Sequence, residues 1–336
     1  MRCSCGWRSR LIGSISILIF FCSSTIAFAD LISPLTLSNY NPLVSVHGLP
    51  YAGDAEVLPR GSIHARLSYD VSSHYAYDQN DNEAVLLDGE TARATFIYRQ
   101  GIGHDTQISL VIPYIKHHSG GLDSSINDWH EIFGMPEGGR DLVANNQFRY
   151  FYRRNSQIRL NVRNSSEGVG DVRVQAAWQV RQRTDDASAM EVSVKLPTGN
   201  SEELHGSGAV DVAILYKHEA QQKLFGLKAG SFYSLGALYL GDGDVLADMR
   251  RPLVGFGGLG GGVYLQKNLL FISQLDINTA FYSSDLVELG SHTLQLSVGG
   301  SILFGDRGRI NLGVAEDLVI DASPDVTFHM GVDWRF

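Results

Sequence analysis

Past residue 29 the chain contains no cysteine, because its three (Cys3, Cys5 and Cys22) all fall in the first segment. That excludes a disulfide framework and a thiolate-ligated zinc site from the remainder. Basic charge is also short. Over the whole chain 27 Lys and Arg face 36 Asp and Glu. Setting aside Arg2, Arg8 and Arg10 leaves 24 against 36, a net charge near −12 and the wrong sign for a general nucleic-acid binder. No long apolar run follows Asp30, so the mature chain should have no helix that crosses a bilayer. Disorder is excluded from the other side, since 44% of residues are apolar and 10% aromatic, ample material to bury.

What is present begins with an export signal. Residues 1–29 show a basic start (Arg2, Arg8, Arg10), an apolar stretch from Leu11 to Phe21, and Ala27-Phe28-Ala29 as a small-x-small cleavage site before Asp30. Cys22 follows Phe21, where a lipidation signal needs a small residue. The expectation is Sec export in a Gram-negative cell. A mature chain held in a membrane without an apolar helix must then be a closed barrel, which alone satisfies every backbone group in lipid.

The hydrophobic pattern supports this. From Asp325 to Phe336 every even-numbered residue is apolar and every odd one is polar, charged or glycine. That is a period of two over about the length of a tilted membrane-spanning strand. The same alternation recurs in Ile63–Val71, Val172–Val180, Met190–Leu196, Leu269–Phe281 and Leu294–Phe304, while Gly255–Gly262 leaves the phase ambiguous. We read twelve strands, about 62–77, 88–100, 104–116, 169–182, 188–198, 208–218, 224–238, 252–266, 269–282, 291–304, 308–319 and 325–336. Short links follow the even strands and mostly longer ones the odd strands, the rhythm of periplasmic turns and extracellular loops. The fold class is therefore all-β: a closed antiparallel transmembrane β-barrel of ten to fourteen strands with both termini periplasmic. Residues 61–336 form the barrel. Residues 30–60 lie in the periplasm or fold up as a plug. Residues 117–168 form a long extracellular insertion, with a short helix at Ile126–Phe133 and a hairpin of 147–153 with 157–163.

Several motifs resemble a family of uncharacterised proteobacterial outer-membrane proteins catalogued as a domain of unknown function. They are Asn41-Pro42-Leu43, Gly48-Leu49-Pro50, Asp88-Gly89-Glu90-Thr91, Ile112-Pro113-Tyr114, Trp129 to Pro136, Gly168-Val169-Gly170-Asp171, Lys195 to Gly199, Gly206-Ser207-Gly208 and Ala315-Glu316-Asp317. The resemblance spans nearly the whole mature chain and implies a barrel without supplying an activity. Over two short motifs, Gly168 to Asp171 and Lys195 to Gly199, the chain also resembles barrels associated with aromatic-hydrocarbon uptake.

Alternation assigns an inward-facing charged set: Arg66, Asp70, Arg93, Arg99, Asp171, Arg173, Glu191, Lys195, Asp211, Lys217, Lys228, Asp276, His329, Asp333 and Arg335. These are the pore-lining candidates. They read either as ion pairs that crosslink a filled lumen or as the wall of a narrow polar conduit, and their mixed signs argue against strong anion or cation selectivity. His117, His118, Asp123, Asp128, His130 and Glu131 crowd the insertion with Ser119, Ser124 and Ser125 nearby. No His-Glu-x-x-His or Gly-x-Ser-x-Gly is present, so neither a metal site nor a cofactor is expected, and a hydrolase using loop 117–131 stays an alternative. Arg149, Arg153, Arg154, Arg159 and Arg163, interleaved with Phe148, Tyr150 and Tyr152, read as contacts to lipopolysaccharide phosphates or as partners of acidic loops such as Asp242-Gly243-Asp244. Tyr69, Tyr114, Trp178, Tyr233, Trp334 and Phe336 read as an interfacial girdle. The functional expectation is an outer-membrane channel or small-solute uptake barrel rather than an enzyme, with a structural or surface-interaction barrel as the alternative. Its expected partners are outer-membrane lipid, lipopolysaccharide, the barrel assembly machinery through the strand ending in Phe336, and a small solute.

Overall fold

The computed structural model describes residues 31–122, 146–318 and 322–336. Its strands are β1 (Ile63–Gln79), β2 (Glu83–Gly101), β3 (Thr106–His118), β4 (Arg149–Arg154), β5 (Gln157–Val162), β6 (Ser166–Val169), β7 (Arg173–Gln182), β8 (Asp186–Lys195), β9 (Asp211–Leu224), β10 (Leu227–Tyr239), β11 (Leu253–Gln266), β12 (Leu269–Asn278), β13 (Thr293–Phe304), β14 (Gly308–Asp317) and β15 (Val326–Arg335). Two single-turn helices accompany them, α1 (Pro42–Ser45) and α2 (Val287–Gly290).

Twelve strands, β1 to β3 and β7 to β15, pair antiparallel in sequence order, and the ring closes where β1 meets β15 from His64↔Arg335 to Ser73↔Val326. The Phe336 N–H completes the seam by donating to the Ile63 carbonyl at 2.9 Å. Closure removes both sheet edges, so no backbone row is left unpaired toward lipid. The expected strand count and antiparallel order are met. The period of two does what it should: in β1 His64, Arg66, Ser68 and Asp70 point in and are buried, while Leu67 and Tyr69 point out. The candidate girdle residues Tyr69, Tyr114, Trp178, Tyr233, Trp334 and Phe336 are all exposed on the outer face.

Links at one end are short, residues 102–105, 183–185, 225–226, 267–268 and 305–307. The Phe225-Gly226 link has φ of +50° and +83°, the left-handed pair a two-residue hairpin turn requires. At the other end the loops 196–210, 240–252 and 279–292 are longer.

Two local departures from the expected strands have clear causes. The strand expected over 169–182 begins only at Arg173, as β7, and a separate short strand, β6, ends at Val169. Its neighbour β3 pairs with β7 up to Val111 and with β6 from Tyr114, and the gap falls at Pro113, which has no N–H to give the ladder. The second is at β1 and β2, which run past their expected ends until only residues 80–82 link them, in place of a longer loop. There Ala76, Val85 and Leu87 pack against Tyr150 and Tyr152, which rewards extending the hairpin. β2 consequently changes partner, pairing with β4 over Glu83–Asp88 and with β3 from Glu90 onward. The change happens at Gly89 (φ +145°), where a Cβ would sit 2.7 Å from the Phe148 ring. The expected hairpin is β4 with β5. The expected helix at Ile126–Phe133 lies outside the described residues.

Residues 31–58 run inside the barrel rather than across its surface. The chain rises from the short-turn end, reaches α1 near the long loops, and descends again to enter β1. Asn41 caps α1 by accepting the Leu43 N–H at 2.9 Å, and Pro42 occupies its first turn, where no N–H is needed.

Candidate functional site

The rising limb meets a wall of small and apolar side chains. Ile32, Leu35, Leu37 and Tyr40 cluster with Phe232, Leu270, Ile272 and Ala315 from β10, β12 and β14. Inward glycines make the room: a Cβ on Gly262 would lie 3.0 Å from Ile32 and 2.5 Å from the Phe271 carbonyl. One polar tie crosses here, from the Leu35 N–H to Gln274 Oε1 at 2.9 Å.

The descending limb meets the charged wall, and its backbone makes the contacts. Lys195 Nζ donates to the Val46 carbonyl at 3.2 Å, and Arg173 Nη1 to the Leu49 carbonyl at 2.7 Å. The Gly48 N–H donates to Asp211 Oδ2 at 2.9 Å and the Ala55 N–H to Glu219 Oε1 at 3.0 Å. Farther down, the Val57 and Leu58 N–H groups donate to Gln179 Oε1 and Gln107 Oε1 at 2.7 and 3.1 Å. Asp54 pairs with Arg99 at the short-turn end. Burial would push the Asp54 carboxyl up, but the Arg99 guanidinium beside it holds it well below the usual carboxylate range.

The pore-lining candidates fall into matched groups on this wall. Lys195 lies 2.5 Å from Asp171 and 3.2 Å from Asp211, and also donates to Ser207 Oγ at 2.5 Å. Asp171 holds the loop after β8 through the N–H groups of Gly199 and Ser207, at 2.8 and 3.1 Å. Lys217 pairs with Glu191 at 2.8 Å, Arg66 with Asp333 at 2.5 Å, and Asp70 with His329 at 2.6 Å. Asp276 is partly buried and accepts from Gln274 Nε2 at 2.7 Å, while Lys228 lies 5.1 Å over the Tyr264 ring and Arg335 is partly buried at the seam. Arg93 stands apart. Its guanidinium lies 5.4 Å over the Tyr40 ring, with no hydrogen bond or ion pair among the described residues.

Five contributors were not singled out from the sequence: Thr36, Tyr40, His47, Tyr51 and Asp54, all on residues 31–58. The only sequence signals were the Asn41-Pro42 cap and Gly48-Leu49-Pro50. His47 Nε2 lies 2.9 Å from the Tyr282 hydroxyl, which itself donates to the Leu43 carbonyl at 2.8 Å. Burial lowers the His47 pKa from its ordinary 6.5 despite the nearby Asp211 carboxylate. Beneath α1 remains a cavity of about 20 Å³, lined by Thr36, Tyr40, Tyr51, Arg93, Thr95 and Arg173 among others, which is room for one or two water molecules.

The loop chemistry differs from expectation. His117 is not in an exposed loop: it is the penultimate residue of β3, is fully buried, and commits both nitrogens, to Thr91 Oγ1 at 2.9 Å and the Leu204 carbonyl at 3.3 Å. His118 Nδ1 accepts the Gly120 N–H at 2.9 Å. Asp123, Ser124, Ser125, Asp128, His130 and Glu131 lie outside the described residues. A serine–histidine contact falls elsewhere, Ser166 Oγ to His205 Nε2 at 3.2 Å, with the half-exposed Glu203 3.7 Å from His205 Nδ1. On the basic hairpin Arg149 stacks on Phe151, Arg154 pairs with Glu83 at 3.0 Å, and Arg159 pairs with Asp248 at 2.5 Å. Asp242 pairs with Arg250 instead of the hairpin.

Comparison with known proteins follows the same lines. The model of a family described as "Protein of unknown function (DUF3187)" matches residues 11–336. No curated protein matches the chain. The crystal structure of an outer-membrane channel from Pseudomonas putida F1 is similar at 15% identity and a TM-score of 0.56, covering 84% of this chain and 98% of that one. That likeness shows the fold, an outer-membrane β-barrel. The NanC porin (9% identity, TM-score 0.43, 81% and 98% covered) and the P. putida toluene transporter TodX (10%, 0.37, 83% and 89%) are more distantly similar.

Proposed function

The chain belongs to this family of proteins of unknown function, and from that premise we propose that it is an outer-membrane channel for a small solute, stoppered by its own residues 31–58. The observation that carries the reading is the division of labour inside the barrel. The stopper is held on one side by hydrogen bonds from wall side chains to its backbone and on the other by apolar contact with glycine-thinned strands. Hydrogen bonds to backbone are individually modest in net strength, so a segment held this way can be displaced without unfolding the closed wall. A β-barrel closed by its own hydrogen bonds does not need a filled interior to keep its strands paired. The outer face carries Leu67, Leu235, Leu259 and Met330 toward lipid, with the aromatic residues flanking them.

A second reading, a barrel with a permanently filled structural lumen, is favoured by the number of buried ion pairs on the charged wall. Single-channel current from refolded residues 30–336 in a planar bilayer separates the two, run beside variants lacking residues 31–58 or 119–165. The channel reading expects rare steps from the intact protein and a persistent conductance once 31–58 is removed. Silence from every form, with refolding confirmed by heat-modifiable gel mobility, would replace it with the structural reading.

A further inference from the structure

Resting on the channel reading above, we propose that the lumen holds a recognition site for a carboxylate, formed where Arg93 of β2 and Arg173 of β7 face one cavity beneath α1. Both guanidiniums are buried, at 8% and 6% exposure. Neither has an ion pair among the described residues. Two carboxylates are near: Asp70, opposite Arg93 in the β1–β2 register, contacts His329 Nδ1 at 2.6 Å, and Asp171, which also lines the cavity, pairs with Lys195. Arg173 gives one N–H to the Leu49 carbonyl and Arg93 gives none. A guanidinium carries five N–H donors, and burying that charge without an acceptor is strongly unfavourable.

Two further observations point the same way. Tyr40 and Tyr51 cover one face of each guanidinium, at 5.4 and 5.3 Å, which leaves the in-plane N–H edges for an acceptor. Neutral donors line the same cavity: Thr36 Oγ1, Thr95 Oγ1 and Tyr51 Oη are buried and have no hydrogen-bond partner. Buried polar groups are seldom left unpaired, and three hydroxyls beside two unmatched cations describe a site for an anion with several oxygens.

Its dimensions narrow the class. A cavity of about 20 Å³ has room for one or two waters, so only the small head of an anion can reach both arginines while residues 36–51 stay seated. A guanidinium binds such a head through parallel N–H bonds. The rest of the solute would enter as residues 36–51 move, and because both tyrosines sit on that segment, solute and stopper would engage the same two arginines.

The test is calorimetric titration of refolded residues 30–336 with acetate, benzoate, benzyl alcohol and inorganic phosphate, beside Arg93→Gln, Arg173→Gln and Arg93→Lys. The expected result is saturable binding of both carboxylates and none of benzyl alcohol. Benzoate affinity should fall at least tenfold in either glutamine variant and less in Arg93→Lys. Equal binding of benzoate and benzyl alcohol, tighter binding of phosphate than of acetate, or full affinity in the glutamine variants would each overturn the site. The first two comparisons need only the unaltered protein, so a variant that fails to fold does not protect the proposal. Carboxylate binding without any current would keep the site and remove the channel. Current without carboxylate binding would do the reverse.

Discussion

The two walls of the barrel hold the same inner segment by opposite means. On β10 to β14 the contacts are mostly between side chains, Ile32, Leu35 and Leu37 lying against glycines and apolar residues, and one hydrogen bond, from the Leu35 N–H to Gln274, helps fix register. On β7 to β9, with Gln107 of β3, wall side chains reach the segment's backbone at 46, 48, 49, 55, 57 and 58, so each bond specifies a position along the chain. An apolar face can slide; a row of directed hydrogen bonds acts as a set of catches. The difference implies that the charged wall decides whether the segment is seated, and that the small-residue wall decides whether it fits.

The largest expected effect comes from Lys195→Met. It leaves Asp171 and Asp211 buried without their cation, and breaking a buried pair costs about 3–5 kcal/mol. Thiol labelling at a Ser45→Cys reporter, the only cysteine in residues 30–336 of that variant, should speed up strongly, with the barrel still heat-modifiable on gels. Asp54→Asn should come next, roughly 3 kcal/mol at the lower end, because the Arg99 it abandons is nearer solvent at the short-turn end. Limited proteolysis of residues 31–58 reads that loss. Leu35→Ala on the opposite wall should cost about 2–3 kcal/mol of seating by the lost burial and the cavity left behind. If it opened the barrel more than Lys195→Met does, the ranking of the two walls would be reversed.

The smallest effect is one of pH. A released His47 titrates near its ordinary 6.5, whereas burial lowers the seated one, so the released form takes up the proton more readily. Seating should therefore weaken as the medium falls from about pH 7 to about pH 5, while Asp54, held well below the usual carboxylate range, stays charged and paired throughout. Open probability should rise over that interval, and His47→Gln should flatten the rise.

Much of the wall was legible in the sequence, because one residue in two must face lipid along every strand and that pattern survives without tertiary context. The inward parity of Arg66, Asp70, Lys195 and Asp333 followed directly. What could not be read was matching. Arg93 and Arg66 look alike in the sequence, yet one lies alone over a tyrosine and the other pairs with a strand 267 residues away. Residues 31–58 carry no period, and their partners sit as far off as Gln274 for Leu35, a separation of 239 residues. The break opposite Pro113 does not show in the alternation, since a proline can interrupt the neighbouring strand while its own runs on unbroken. His117 reads as a loop residue because the alternation is followed only to Lys116, two residues short of the end of β3.

The most direct test of the account pins the apex of the inner segment to the charged wall. A Cβ placed on Gly48 lies 3.1 Å from the Cβ of Asp211, close enough for a disulfide with a small adjustment, and residues 30–336 contain no other cysteine to interfere. In a planar bilayer Gly48→Cys with Asp211→Cys should be silent when oxidised and should conduct on reduction, with Asp211→Cys alone indifferent to reductant. Equal current from the oxidised and reduced forms would contradict the claim that residues 31–58 are the gate.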